Sequence, residues 1–585
     1  GLDNDCDGIA DNGLAGCDPC APYHELPVVT HWSNSLPGVQ YLASDQVALD
    51  ASYPTDAYMA GTCYPAFQHG WLPDLDHYIG DVWSVVAIPD AEATATLRAI
   101  CVNAGVPVRL LRPDALEAGR LIDRPGAVQI LHALVIDGSL VTVVLPPNWN
   151  AAAPLASYPI VANGFYDLND NLFHQEGPDL IRMVALSGTG GRTGAIGILW
   201  NGGGAVASRT MSQHALDQFA SVIDFVAERF SADRHRILMF GGSRGGVTAL
   251  SMASNPHAHD YTVTFAAAGV PPTRIGEHAL LQSTTFPGVM AAVAWSTGLA
   301  DAWRTGWTYP ACAGKPELTG MTGPQAHLAI VAGTSDPAYA DAHLTLVSPE
   351  YIAGLKAAGT EVYLESGTHD YIVPFAHQVE YGLKLIAAGI PLHSDVLVRA
   401  GHAVRSEPGV FGHPRANRTW EALQSYVDPS LAGTTPQVVP GVSFYRVNRS
   451  TSALEAFTLP DGLFPFTFEG PRYVATGERV PMILVGAIGT QWEVSITPPD
   501  GGAPAVWTGT ISAEGKSLQW VDIVVGLPIG DYTYSLRIMK PGATSWQIIP
   551  STNTIDGSPP IVTLVDAEPN VDGYAIAVLV SGPHV

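Results

Sequence analysis

The sequence predicts an α/β protein: a parallel sheet covered on both faces by helices, followed by a region of antiparallel β structure. Three observations predict it. Between about residues 130 and 430, short apolar runs alternate with amphipathic helical stretches, the pattern that a parallel sheet between two helical layers requires. One strand-to-helix junction carries Gly241-Gly242-Ser243-Arg244-Gly245. Beyond residue 437 the period switches to strict apolar/polar alternation broken by turn residues.

Composition bounds the reading first. A chain of 585 residues exceeds one hydrophobic core and implies two or three domains. Hydrophobic residues make up 47% of it, enough for globular folding throughout. The net charge of −26 repels phosphate backbones, which excludes nucleic acid as a partner. No apolar run reaches the roughly 20 residues of a membrane helix, so no transmembrane segment is expected. The chain opens inside a motif, at Gly1-Leu2-Asp3, and no signal segment is visible. It reads as the mature or trimmed form of a secreted, extracellular protein.

The first 30 residues are rich in cysteine and aspartate. Asp3, Asp5, Asp7 and Asp11 surround the turn residue Gly8 and resemble half of a calcium loop, of the EF-hand, thrombospondin type 3 or dockerin kind. Leu14 stands where an EF-hand needs its bidentate glutamate, so structural calcium is one expectation and a solvated acidic tail the other. The cysteines are Cys6, Cys17, Cys20, Cys63, Cys101 and Cys312. Without a second Cys-x-x-Cys pair or a following βαβ pattern, disulfides in an oxidising compartment are the better reading than a metal or redox pair. Residues 31–125 form an N-terminal region with a strand expected at Ser84–Ile88 and a helix at Ala91–Asn103.

The α/β region, residues 126–432, is clearer. Leu140–Leu145 is a β-branched strand ending at Pro146, and Tyr158–Phe165 is a strand running into a glycine turn. Leu216, Phe219, Ile223, Val226 and Phe230 recur at three- and four-residue steps, as one face of a helix does. The strand Arg236–Phe240 and the helix Val247–Ala253 flank G-x-S-x-G, and a strand at Tyr261–Ala268 follows. From about 273 to 345 the pattern turns irregular and aromatic (Phe286, Trp295, Trp303, Trp307, Tyr309), which suits a cap over a substrate pocket. Then come the strand Thr360–Glu365, a helix with Phe375, Val379, Leu383 and Ile386 on one face, the strand Asp395–Val398, and a closing helix at Trp420–Val427. Gly433-Thr434-Thr435-Pro436 is a linker, and residues 437–585 read as an immunoglobulin-like β-sandwich.

G-x-S-x-G at a strand–helix junction is a nucleophile elbow. The chain turns so sharply that side chains would clash at the glycines, and the serine oxygen stands clear of the sheet. Ser243 is thus the nucleophile, and the amide of Arg244 points at the oxygen that will carry charge. A nucleophilic serine needs a histidine and an orienting acid, in the order serine, acid, histidine. Two pairs fit: Asp370 with His402, and Asp336 with His369. The strand before Asp370, and the strand-Gly-His context of His402 just ahead of the closing helix, favour the first pair.

Residues from about 130 to 430 resemble the secreted α/β-hydrolase esterases, a group including polyhydroxyalkanoate-depolymerase-like and feruloyl-esterase-like enzymes, and the related prolyl-oligopeptidase catalytic domains. The resemblance rests on Val144-Leu145-Pro146-Pro147-Asn148, Arg236–Gly246, Ser348–Tyr351, Gly367–Pro374 and Ala400-Gly401-His402. It implies ester hydrolysis through an acyl-enzyme, with no cofactor and with the amides of Arg244 and Phe165 as the oxyanion hole. The usual His-Gly of the oxyanion strand stands here as Asn163-Gly164. The modules around it point to an insoluble or polymeric ester as substrate. The rival readings are a serine peptidase of the prolyl-oligopeptidase type, disfavoured because no blade-length repeats precede the catalytic region, and a non-catalytic binding protein on the same fold.

Overall fold

The computed structural model describes residues 23–24, 32–33, 82–83, 97, 99–111, 126–137, 139–164, 176–200, 211, 213–276, 320, 345–367, 370, 373, 375–398, 411–431, 438, 440–447, 454–456, 467–469, 474–475, 479–485, 487–497, 500–512, 516–522, 531–549, 561–570 and 573–581. The main sheet is built from β1 (Val108–Leu111), β2 (Val128–Ile136), β3 (Ser139–Leu145), β4 (Tyr158–Gly164), β5 (Ile196–Trp200), β6 (Ala232–Gly242), β7 (Val263–Gly269), β8 (Glu361–Gly367), β9 (Leu392–Val398), β10 (Gly441–Val447) and β11 (Leu454–Ala456). Its order is β1-β2-β3-β5-β4-β6-β7-β8-β9-β10-β11, with the short strand Tyr23–His24 outside β1. From β5 across to β10 every neighbouring pair is parallel, while β3 runs antiparallel to both β2 and β5.

The chain passes from β4 to β5 on one side and then to β6 on the other. That reversal is a topological switch point, and the crevice outside the carboxyl ends of β4 and β6 is where such sheets hold ligands.

Among the described residues, the sheet is covered on its two faces by α1 (Gly177–Ser187), α2 (Gln213–Phe230), α3 (Arg244–Ser254), α4 (Pro349–Ala358), α5 (Phe375–Ala388) and α6 (Pro414–Val427), with the helical residues 99–104 packed against one of those faces. Alternation along the central strands feeds two separate cores. Ile237 and Met239 face the core shared with α2, α3, α4 and α5, whereas Leu238 and Phe240 face the core shared with α1 and α6. A strand buried on both sides must be apolar at every position, which is why Ile237–Phe240 shows no polar alternation. On α2 the expected stripe is the buried one: Leu216, Phe219, Ile223, Val226 and Phe230 are each at most 1% exposed.

On α5 the expected stripe fails at its end. Ile386 is 53% exposed, and Tyr381 and Leu385 enter the core instead. The first eight residues of α5, Phe375 to Gly382, are all buried, so a one-sided pattern never had to form. The helix lies between the sheet and two strands of the C-terminal region, Thr467–Glu469 and Arg479–Val485.

Residues 273–276 and 345 onward meet at one point. Arg274 and Thr345 form a β-bridge, Leu346 N–H donates to Thr273 O at 3.0 Å, and Thr345 Oγ1 donates to the same oxygen at 2.9 Å. Beside it, Arg274 makes a two-pronged contact with the buried carboxylate of Glu380. The cap expected between these positions lies outside the described residues.

Beyond the linker, Gly441–Val447 joins the main sheet as β10, parallel to β9, rather than opening a separate layer. β11 pairs with β10 antiparallel, and the described strands beyond β11 form antiparallel sheets of three and seven strands. There the alternation holds: Trp492 and Val494 pair with Ile538 and Leu536, and all four are buried. Glu493 and Arg537 face the other way and pair at 2.7 Å. In the N-terminal region, residues 99–104 are helical and Cys101 is buried there. The other five cysteines, and the strand expected at Ser84–Ile88, lie outside the described residues. Among the described residues no helix is long and apolar enough to cross a membrane.

Candidate active site

The elbow forms because β6 cannot run on into α3 without a reversal. Ser243 takes it, at φ 54 and ψ −122, a region that non-glycine residues occupy only under constraint. Its backbone N–H donates to Gly269 O on β7 at 2.7 Å, which locks the strained residue to the neighbouring strand. A Cβ on Gly241 would lie 2.5 Å from the backbone of Gly245, so the turn closes only with glycine at this position. Ser243 is the N-cap of α3, yet its side chain makes no capping hydrogen bond. A serine at an N-cap ordinarily spends its hydroxyl on the helix amides; here the oxygen is left for other chemistry.

Strand β4 ends on Asn163-Gly164. Gly164 is needed for close approach: a Cβ there would lie 2.3 Å from Thr248 Cγ2 on α3. Asn163 is fully buried, and its Nδ2 donates to Glu176 Oε2 at 2.5 Å and to Phe240 O at 2.9 Å. The Asn163 side chain therefore turns into the protein as a brace. Phe165, the second expected oxyanion donor, lies outside the described residues.

Asp370 stands three residues past the end of β8, fully buried, its N–H directed at Gly367 O and its Oδ1 accepting from Val373 N–H at 2.9 Å. Strand β7 separates β8 from β6, so serine and acid leave the same edge of the sheet two strands apart. His402, His369 and Asp336 lie outside the described residues, as do Asp3, Asp5, Asp7 and Asp11. Among the described residues no group of three or more histidine, cysteine, aspartate or glutamate side chains is placed to hold a metal.

Beneath the elbow lies a charged cluster that sequence reasoning missed. Arg415, in the first turn of α6, donates Nε to Glu176 Oε1 and Nη1 to Glu365 Oε1 at 3.3 Å. Asp179 accepts from Gly412 N–H at 2.9 Å and lies 2.9 Å from His413 Nδ1. One signal was available: Glu365 is a carboxylate at the end of the apolar run Val362-Tyr363-Leu364, and such a group is buried only with a partner. Glu176 and Arg415 gave none, because charged residues at helix starts are ordinarily solvated.

Burial acts on the two carboxyls unequally. It pushes both up, but at Glu176 the adjacent Arg415 charge, aided by His413, outweighs it and holds that carboxyl below its usual value. At Glu365 burial wins over Arg415 and His413, with Glu176 and Asp395 adding to the upward push. A carboxyl raised in the folded state stabilises the fold below its unfolded pKa and loses that contribution as pH rises through the folded value. Glu176 behaves oppositely, its contribution being lost as pH falls through its lowered value. Glu365→Gln, which keeps an acceptor for Arg415, is therefore expected to flatten the fall in melting temperature as pH rises above about 4.5, the ordinary value for the unfolded carboxyl. Scanning calorimetry across pH tests this, and parallel profiles for variant and wild type would refute it.

No protein-family model matches the sequence, and no curated protein matches it either. Several solved structures share part of the fold. Puromycin hydrolase is 16% identical with TM-score 0.30, the match covering 51% of this chain and 38% of that one. Acylaminoacyl peptidase of Pyrococcus horikoshii is 12% identical with TM-score 0.32, covering 53% of this chain and 42% of the peptidase. An esterase of Pyrobaculum calidifontis is 14% identical with TM-score 0.29, covering 54% and 84%. The chain thus spans about two fifths of the length of the first two. Overlaps this slight add no argument of their own. What defines the class is internal to the chain: the order β2-β3-β5-β4-β6-β7-β8-β9 with β3 reversed, and a strained serine at the β6–α3 elbow. This arrangement fits the α/β-hydrolase fold.

Proposed function

We propose that the protein is a secreted serine hydrolase that cleaves carboxylic esters through Ser243, His402 and Asp370. The observation that carries this reading is the Ser243 hydroxyl, held in a strained backbone and not used to cap α3. In the proposed reaction His402 takes the Ser243 proton as the oxygen attacks the ester carbonyl, and Asp370 orients the histidine. The amides of Arg244 and Phe165 receive the oxyanion, each such donor lowering the barrier by about 3 kcal/mol. His402 then protonates the leaving alcohol, and water repeats the sequence on the acyl-enzyme. The buried carboxylate of Asp370, just past β8, supports its choice over Asp336. The cap and the C-terminal β region, read as a sandwich-type module, suit a polymeric ester such as a polyester or a feruloyl ester.

A panel of short p-nitrophenyl esters, polyesters, feruloyl esters and peptides, together with fluorophosphonate labelling, tests the reading. Turnover of peptides alone would make the protein a peptidase, and failure to label would make it a binding protein on a hydrolase fold. His402→Ala should match Ser243→Ala in damage, and the double variant should lose almost nothing more, because such residues act as a unit. His369→Ala should be milder. The opposite ranking would assign the reaction to Asp336 and His369.

A further inference from the structure

Four adjacent strands, β4, β6, β7 and β8, deliver to one edge of the sheet the groups that the proposed reaction uses, and the cluster around Arg415 touches all four. Asn163 at the end of β4 reaches it through Glu176, and Asn163 also holds Phe240 O of β6. On β6, a Cβ at Gly242 would sit 2.6 Å from Arg415 Nη2, and on β7, a Cβ at Gly269 would sit 2.7 Å from Nη1. These two glycines rest directly on the guanidinium. Gly242 immediately precedes the nucleophile, and Gly269 supplies the oxygen that binds the Ser243 N–H. On β8, Glu365 receives the same guanidinium five residues before Asp370, and its own carbonyl accepts from Val270 N–H at 2.7 Å.

We propose that Arg415 is the positioning residue of the active site, its buried guanidinium propping Gly242 and Gly269 and so fixing the strained Ser243 relative to the strands that carry the oxyanion turn and the acid. The inference rests on the serine-hydrolase reading for its kinetic consequence, but its structural consequence stands without it. The chemistry favours arginine for this task. A planar fork can lie flat against two glycine backbones while bonding carboxylates at either end, whereas lysine offers a point charge and no plane. The glycines complete the fit, since any side chain at either one would displace the guanidinium.

The test uses the full chain and two variants. Arg415→Lys keeps the charge and removes the fork. The triple variant Arg415→Met, Glu176→Gln, Glu365→Gln removes all three charges together, so that no buried carboxylate is left alone. With p-nitrophenyl butyrate as substrate, both are expected to lose about 10- to 100-fold in kcat with KM changed less than about threefold, the signature of a misplaced nucleophile. Amide hydrogen exchange over residues 241–247 should accelerate in both relative to wild type, while exchange in α2 stays unchanged. Wild-type kcat and wild-type protection of the elbow in a folded Arg415→Lys protein would overturn the proposal. If neither variant folds, Arg415 is needed for folding and the positioning role is withdrawn. An inactive wild type whose variants still lose elbow protection would sink the ester reading alone and leave the positioning role standing.

Discussion

Replacing Ser243 by alanine is expected to reduce ester hydrolysis by about 10⁴-fold or more, with the circular dichroism spectrum and melting temperature nearly unchanged. The expectation of unchanged stability comes from the local geometry. The Ser243 hydroxyl makes no capping bond to α3, so its removal leaves no helix amide newly unsatisfied. Alanine meets the same steric restriction as serine at φ 54, and the Ser243 N–H bond to Gly269 O is a backbone contact that survives the change. A large loss of stability alongside the loss of activity would mean that the hydroxyl has a structural partner. Near wild-type turnover would remove Ser243, and the enzyme reading with it.

The second large effect concerns the end of the α/β region. A chain ending at Gly433 is expected to aggregate, although the linker composition alone suggests that the catalytic part could stand by itself. Such a chain loses β10, leaving the parallel edge of β9 unpaired, and open edges of this kind recruit other chains. It also uncovers α5, whose first eight residues are buried all round and which lies against the strands at 467–469 and 479–485. A chain ending after Ala456 restores the edge but not the helix cover, and should fall between the two. Size-exclusion chromatography and turnover of a small soluble ester distinguish the three lengths. A monomeric, fully active chain ending at Gly433 would show that β10 and the later strands only decorate a complete fold.

The sheet was legible in the sequence wherever burial is simple. The second half of β6, α2 and β8 follow from apolar runs or a single stripe, because each is buried on both faces or on one side only. The elbow was legible because its glycines have one steric reason, the approach of Gly241 to Gly245. Legibility failed where an element serves two neighbours. The α5 stripe was misplaced because a second layer covers the helix, and Gly441–Val447 reads as the start of a new domain because periodicity does not reveal which sheet a strand will join. The brace beneath the elbow failed for a different reason. Glu176, Glu365 and Arg415 are scattered across the chain, and only the fold turns three charges that would otherwise be solvated into one buried group.

The bridge between Arg274 and Thr345 sets how freely the length of chain between them can vary. The chain leaves the main sheet and re-enters it through a doorway one β-bridge wide, braced from below by the Arg274–Glu380 pair. Whatever stands beyond that doorway can lengthen, shorten or be exchanged without disturbing the register of β7 or α4. Each doubling of the excursion adds only about 0.6 kcal/mol of closure entropy. Changes of length between these two positions are therefore cheap, and the register of the strands that hold the elbow need not change with them.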